Sequence, residues 1–397
     1  MRDDRAGVSC FLTISYHLKP IIYSNMNATD FITALVVSFG IALIFTGIVQ
    51  WFAKKFKIVD SLNGEHAERK IHKKAIPLLG GLAIFFSFNI VVLFYSLYTG
   101  DLIGDTIFFK NIIGMSVGSL FLALGGFLDD KYNLKAKYQI IWPVLAILSV
   151  IVAGVGIDWI SNPFGEGILH LDTQVIELFW YGGFLYKITL LADIFTFFWL
   201  MGMMYTTKLL DGLDGLVSGI TIIAAIFIFF VALNKGDIIQ YDIALISMIV
   251  IGVFSGFMVF NWNPASIFLG EGGSTMAGFL LGAISIISGS KVGVTLMLLS
   301  IPILDFLWTI IRRFMEGKSP FTSSDKKHLH HRLLDAGFSI KQAVFFLYFI
   351  TVIFGIVAYY LQELSWSFMS ITLTVLVFFM LILAYLYKKQ KERVKLD

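Results

Sequence analysis

The chain has 397 residues, 57% hydrophobic and only 14% charged, with a formal net charge of +3 and a mean hydropathy of +0.83. Soluble domains carry about 25% charged residues, so this composition excludes an ordinary water-soluble globule and a basic nucleic-acid-binding surface. The single cysteine, Cys10, excludes an internal disulfide and any metal site built on cysteine.

Residues 1–30 read as an N-terminal extension without function. Met1-Arg-Asp-Asp-Arg5 precedes a weak apolar stretch, Val8 to Ile14, too short for a signal sequence with its cleavage site. It is either a disordered extension or the product of an upstream start codon, with Met26 the true start. Residues 31–387 then form one multi-span membrane domain. A spanning helix needs roughly 20 apolar residues, because only a closed backbone hydrogen-bond ladder is stable in hydrocarbon. The apolar runs predict an all-α polytopic integral membrane protein of about eleven transmembrane helices. They lie at 31–53, 77–98, 108–128, 138–157, 189–207, 216–234, 242–260, 274–290, 292–311, 343–361 and 366–387. The loop 158–188 suggests a short hairpin at the membrane surface, from its Asn162-Pro163-Phe164-Gly165 turn. Residues 388–397 are a basic tail.

Charge sets the orientation. Segments 54–76, 129–137, 208, 312–342 and 388–395 carry 23 of the 30 Lys and Arg residues. By the positive-inside rule they face the cytoplasm, with the N-terminus outside and the C-terminus inside. The protein is therefore expected in the inner (plasma) membrane. Every polar cluster that could carry chemistry falls on that same cytoplasmic side.

Asp129-Asp130 ends the third span. Adjacent carboxylates can share a proton or a cation, or can simply solvate a helix end. Lys208-Leu-Leu-Asp-Gly-Leu-Asp-Gly-Leu216 places Asp211 and Asp214 three residues apart, on one face of a helical turn. Such oxygen ligands suit Mg²⁺ bridging phosphates; the alternative is a helix cap. Asn261 to Ser274 breaks two apolar runs, and Gly270, Gly272 and Gly273 around one acid resemble a loop whose N–H groups face phosphate at a helix start. Phe268 either stacks on a base or enters the core. His328-Leu-His330-His331, with Lys326, Lys327 and Arg332, is a cationic cluster whose basic neighbours favour an anionic ligand over a metal. Arg69-Lys70-Ile-His72-Lys73-Lys74 is either a topology signal or an attractor of lipid phosphate. Acids for a divalent cation, bases for phosphates and an adjacent bilayer are what phosphoryl transfer requires.

With these blocks in order, the chain resembles the polyprenyl-phosphate N-acetylhexosamine-1-phosphate transferases, the MraY/WecA-like glycosyltransferase family 4, from Val59-Asp60 to about Phe338. The resemblance rests on Arg69-Lys-Ile-His72 with Pro77…Gly80-Gly81, Asp129-Asp130, Asp211-Gly-Leu-Asp-Gly-Leu216, Asn261…Pro264-Ala265…Phe268-Leu-Gly, and His328-Leu-His-His331. It implies transfer of a sugar-1-phosphate from a UDP-N-acetylhexosamine to undecaprenyl phosphate with Mg²⁺ and release of UMP. A homodimer is a candidate assembly. The resemblance makes Asp129, Asp130 and Asp211 catalytic: the first two at the lipid phosphate as base or electrostatic partner, Asp211 as an acid near the diphosphate. It puts Asp214 and Phe268 at the uracil, and the histidine loop over the nucleotide. Lys70, His72, Lys208, Asn261, His328, His330, His331 and Arg332 fall among its substrate-binding positions, and Glu271 with Asp211 at its metal. The His-x-His-His spelling, continued as Arg332-Leu-Leu334, is closer to the WecA type than to the MurNAc-pentapeptide type.

Three positions depart from the pattern: Tyr205 and Lys208 stand where the family usually has Asn, and Glu271 where it has Asp. A protonated lysine cannot ligate a metal; it either repels one or pairs with Glu271 or a phosphate. The rival readings are a transporter, a CDP-alcohol phosphotransferase, and a catalytically impaired relative that binds lipid phosphate. Asp193 and Asp305, within predicted spans, are the acids a transporter would favour.

Overall fold

The computed structural model describes residues 27–60, 75–162, 167–181, 184–234, 239–289, 292–315, 317 and 328–361. The expected 366–387 span, the basic tail, and Lys70, His72, Lys326 and Lys327 lie outside these residues.

The chain is mostly helical. Helix α1 (Ala28–Lys55) is followed by a two-stranded antiparallel pair, β1 (Val59–Asp60) with β2 (Ile76–Pro77). Then come α2 (Gly80–Phe94, extended by a π-helical turn to Thr99), α3 (Phe109–Tyr132), the single turn α4 (Ala136–Gln139) and α5 (Ile141–Val152). Strands β3 (Trp159–Ser161) and β4 (Ile168–His170) form the expected hairpin, with Trp159 opposite His170. A second hairpin, β5 (Val175–Tyr181) with β6 (Phe184–Thr189), corrects the all-α expectation. Its cause is legible in retrospect: aromatic and β-branched residues flank Gly182-Gly183, a two-residue hairpin signal.

The remaining helices are α6 (Leu190–Leu210), α7 (Leu216–Leu233), α8 (Tyr241–Asn261), α9 (Gly270–Ile287), α10 (Val292–Leu298), α11 (Ser300–Met315), α12 (Leu329–Asp335) and α13 (Ile340–Leu361). Eight of the described helices are long and apolar enough to cross a membrane. The predicted span 138–157 shortens to the 12 residues of α5 behind α4. The predicted span 292–311 breaks into α10 and α11, which meet at 75°. Pro302 explains the break, since it has no N–H to donate to the carbonyl of Leu298, the last residue of α10.

Helix α9 is the axis of the bundle. In its span 83% of residues are buried, against 28% in α1 and α13, whose outer faces expose Ile32, Val36, Ile44 and Phe349 as a lipid-facing surface should. It packs against α2, α3, α6, α7 and α8. Its small residues, among them Gly272, Gly273 and Gly278, admit neighbouring backbones closely. With little hydrophobic drive between helices in lipid, such close contact supplies the packing energy. The alternation of spans gathers the end of α3, the end of α6, the end of α8 and the start of α9 at one end of the bundle. At the opposite end Asp242 accepts hydrogen bonds from the N–H groups of Thr106 (2.9 Å) and Ile107 (2.7 Å), closing the 104–107 loop onto α8. There too Asp193 accepts from the Thr189 N–H (2.9 Å), so it is a helix cap rather than part of an ion path.

Candidate active site

The site grows from a crossing of α3, α9 and the start of α2. A methyl group on Gly126 would overlap Gly272 Cα, and one on Gly81 would lie 2.5 Å from Gly273 N. The Gly80 N–H donates to Phe268 O (3.0 Å), the Gly81 N–H to Leu269 O (2.9 Å) and the Phe268 N–H to Pro77 O (2.9 Å). Gly272 and Gly273 therefore serve close backbone packing, and Gly270 leaves room for the Asp130 carboxylate. The helix start has its own anion as well. Asp130 Oδ1 accepts from the Glu271 N–H (3.3 Å), and Oδ2 from the Leu79 N–H (3.1 Å).

The two neighbouring aspartates thus turn apart. Asp129 Oδ1 accepts from the Leu134 N–H (2.9 Å) and from Gln139 Nε2 (2.8 Å). The Gln139 Oε1 accepts from Lys208 Nζ (3.1 Å), and Lys208 Nζ is 2.5 Å from Glu271 Oε1. A continuous polar chain, Asp129–Gln139–Lys208–Glu271, joins α3, α4, α6 and α9.

On the other side of the α6–α7 turn, Asp214 Oδ2 accepts from Asn263 Nδ2 (2.8 Å) and the Ala265 N–H (3.0 Å). Asn261 is buried. Its Oδ1 accepts from the Gly215 N–H (3.2 Å) and Ser218 Oγ (3.1 Å), and its Nδ2 donates to Ile267 O (3.0 Å). So Asn261 is placed as a staple of the α8–α9 loop rather than as a substrate contact. Phe268 is half-buried at the loop's end. Asp211 differs from all of these: no described residue donates to its carboxylate. Burial, then the charges of Asp130, Glu271 and Asp214, push it up to about 8.

The histidine loop closes over the same turn. The His330 ring lies so close to Gly212 that no side chain fits between them, which brings a segment more than a hundred residues away beside Asp211. His330 is buried and held down to about 3 by burial and by His331 and His328, so it is a neutral imidazole. His330 therefore adds no charge to the cluster; among its described residues Arg332, which is exposed, carries a fixed charge, while His331 is half-buried. His328 is buried too, with Nδ1 2.9 Å from Asp305 Oδ2; Asp305 Oδ1 accepts from the Leu329 N–H (3.1 Å). Asp305 on α11 is thus the anchor of the loop. Asp305→Ala should cost about 1–3 kcal/mol locally by orphaning a buried imidazole and a helix-start N–H. Faster limited proteolysis around 328–335, with cleavage elsewhere unchanged, would verify it.

The arrangement tests the expected Mg²⁺. Such a cation needs octahedral oxygen ligands with one or two carboxylates free to turn toward it. Here the Glu271 carboxylate is engaged by an ammonium. Among the described residues no three His, Cys, Asp or Glu side chains come close enough to share an ion. With Lys208 on Glu271, the residues as placed do not fit a divalent cation held jointly by Glu271 and Asp211.

Comparison with known proteins fixes the family. The model of glycosyl transferase family 4 matches residues 112–289. A probable undecaprenyl-phosphate N-acetylglucosaminyl 1-phosphate transferase of Bacillus subtilis is 31% identical over 370 residues, 92% of this chain and 94% of its own length. The chain belongs to glycosyl transferase family 4. This family 4 chain is also 31% identical to a decaprenyl-phosphate N-acetylglucosaminephosphotransferase of Mycolicibacterium smegmatis, over 71% of this chain and 70% of the relative. A phospho-N-acetylmuramoyl-pentapeptide-transferase of Streptococcus pneumoniae is 30% identical over 64% of this chain and 72% of its own. Two residues that shape this site had no place in the transferase reading of the sequence. Gln139 is an isolated amide at the mouth of an apolar run and gave little signal. Asp305, an acid inside a predicted span, had a signal, because intramembrane carboxylates mark sites by default.

Proposed function

We propose that this family 4 enzyme transfers N-acetylglucosamine-1-phosphate from UDP-GlcNAc to undecaprenyl phosphate, releasing UMP and starting a lipid-linked cell-envelope glycan. An oxygen of the lipid phosphate attacks the phosphorus attached to the sugar; the bond from that phosphorus to the bridging oxygen breaks, and UMP leaves with the electron pair. The observation that carries the reading is Asp211. Of the five acids gathered here it alone accepts no hydrogen bond from the described residues, and it holds a proton near neutral pH. A carboxyl group so poised can exchange a proton with a phosphate oxygen at the working pH. Asp129 and Asp130 act electrostatically at the lipid phosphate, Asp214 and Phe268 frame the base, and Lys208 and Arg332 supply positive charge to the diphosphate.

The reading includes a topology. Eight spans, the bent α10–α11 pair, the short α4–α5 segment and the 366–387 run account for eleven crossings. The distribution of Lys and Arg turns the site to the cytoplasm, where nucleotide sugars are made. The His-x-His-His spelling and the names of the B. subtilis and M. smegmatis relatives favour GlcNAc over MurNAc-pentapeptide. The test is UMP release by the purified protein given undecaprenyl phosphate and either UDP-GlcNAc or UDP-MurNAc-pentapeptide. Release with the second donor alone reverses the substrate assignment, and release with neither removes the transferase reading.

A further inference from the structure

The three departures from the family pattern noted in the sequence fall on one contact set. Tyr205, Lys208 and Glu271 are 3 and 63 residues apart along the chain, yet all meet at a single ammonium. Lys208 Nζ is 2.5 Å from Glu271 Oε1, 3.1 Å from Gln139 Oε1 and 5.3 Å from the centre of the Tyr205 ring. A carboxylate, an amide oxygen and an aromatic face are the three groups that hold a cation best. Gln139 is fixed in the orientation this needs, because its Nε2 is spent on Asp129 and on Leu134 O. The longer side chain of glutamate, compared with aspartate, lets the carboxylate of Glu271 reach the lysine from the first turn of α9.

We infer that the Lys208 ammonium is the resident cation of this site, standing where a divalent metal would have to sit, and that it keeps such a metal out. The inference rests on the transfer reading only for its catalytic consequence: transfer proceeds without added Mg²⁺. Its physical content is a binding property of the folded chain. An ammonium neutralises one negative charge where Mg²⁺ neutralises two, and it cannot be removed by a chelator. Gln139 is a positioning residue, since it acts on the site through Lys208 and Asp129.

The test is Mn²⁺ binding to the purified full-length protein, without nucleotide, followed by the loss of the free-ion electron paramagnetic resonance signal. Wild type is compared with Lys208→Asn, and with Lys208→Gln should the first variant not elute as a folded monodisperse species. The expected result is no stoichiometric site in wild type and one in the variant, with binding about tenfold or more tighter. UMP release on the same preparations should survive EDTA in wild type and become metal-dependent in the variant. Equal Mn²⁺ binding by the two proteins, whether tight or absent, overturns the inference. A difference in Mn²⁺ binding without UMP release from wild type would remove the transferase reading and leave the resident cation standing.

Discussion

Replacing Asp211 by Asn should lower the rate of UMP release by about 10²–10⁴, the range for loss of a positioned acid–base group, while leaving the protein as stable or more stable. The Asp211 carboxyl is enclosed among Asp130, Asp214 and Glu271 and accepts no hydrogen bond from the described residues, so the native structure works against its ionisation. The sign follows. An unfolded chain releases this proton near pH 4, whereas the folded one keeps it up to about pH 8, so the native state binds the additional proton between these values and loses stability as pH rises through them. Asparagine cannot ionise. The melting temperature of Asp211→Asn in detergent should therefore match wild type near pH 4 and exceed it increasingly toward pH 8. A variant that melts lower than wild type at pH 8 would mean that the carboxylate is structural. Active-site groups held against their own stability are the usual origin of such a trade between activity and stability.

Gly126→Val should be as damaging by the opposite route. A side chain at 126 meets the backbone of Gly272, not the end of a flexible side chain, so neither rotamer change nor local repacking relieves the overlap. Overpacking a tight contact costs typically 1–3 kcal/mol, occasionally more, and here the two helices must separate. Asp130 and Glu271 lie within one turn of that contact, so separation also breaks the hydrogen bond from the Glu271 N–H to Asp130 and the chain from Glu271 through Lys208 and Gln139 to Asp129. Both a lower melting temperature and loss of UMP release are expected. Gly47→Val on α1, where nothing lies within 4 Å, is the control and should change neither.

What the sequence revealed, and what it hid, follows the range of the interactions. The turn at Asp211-Gly-Leu-Asp-Gly215 was legible because glycine beside acid between two apolar runs is a local pattern, and the gathering of the polar clusters at one end of the bundle was legible because the alternation of spans and the lysine and arginine counts assign those loops to one side. The bond between Asp130 and the Glu271 N–H spans 141 residues, and the pairing of His328 with Asp305 depends on how α11 tilts after its break. Neither is written in any window of the chain. The 270–273 glycines illustrate an ambiguity that sequence cannot resolve. A glycine that admits a ligand and one that admits a helix have the same spelling, and here Gly81 and Gly126 occupy the space. The second hairpin, by contrast, had a local signal in Gly182-Gly183 that the apolar character of its flanks obscured.

The hydrogen bond by which Asp130 occupies an amide in the first turn of α9 has a consequence for anion recognition. A rigid cradle of backbone dipoles is pre-aligned and shielded from solvent, and it discriminates by shape. With that amide engaged internally, an incoming diphosphate must be gripped by side chains whose charges stand partly in water. Such attraction reaches farther but fades as counterions accumulate, over a Debye length of about 8 Å at physiological ionic strength. The Michaelis constant for the nucleotide sugar should therefore climb with added potassium chloride, whereas the turnover number, set after the charges have met, should stay nearly level.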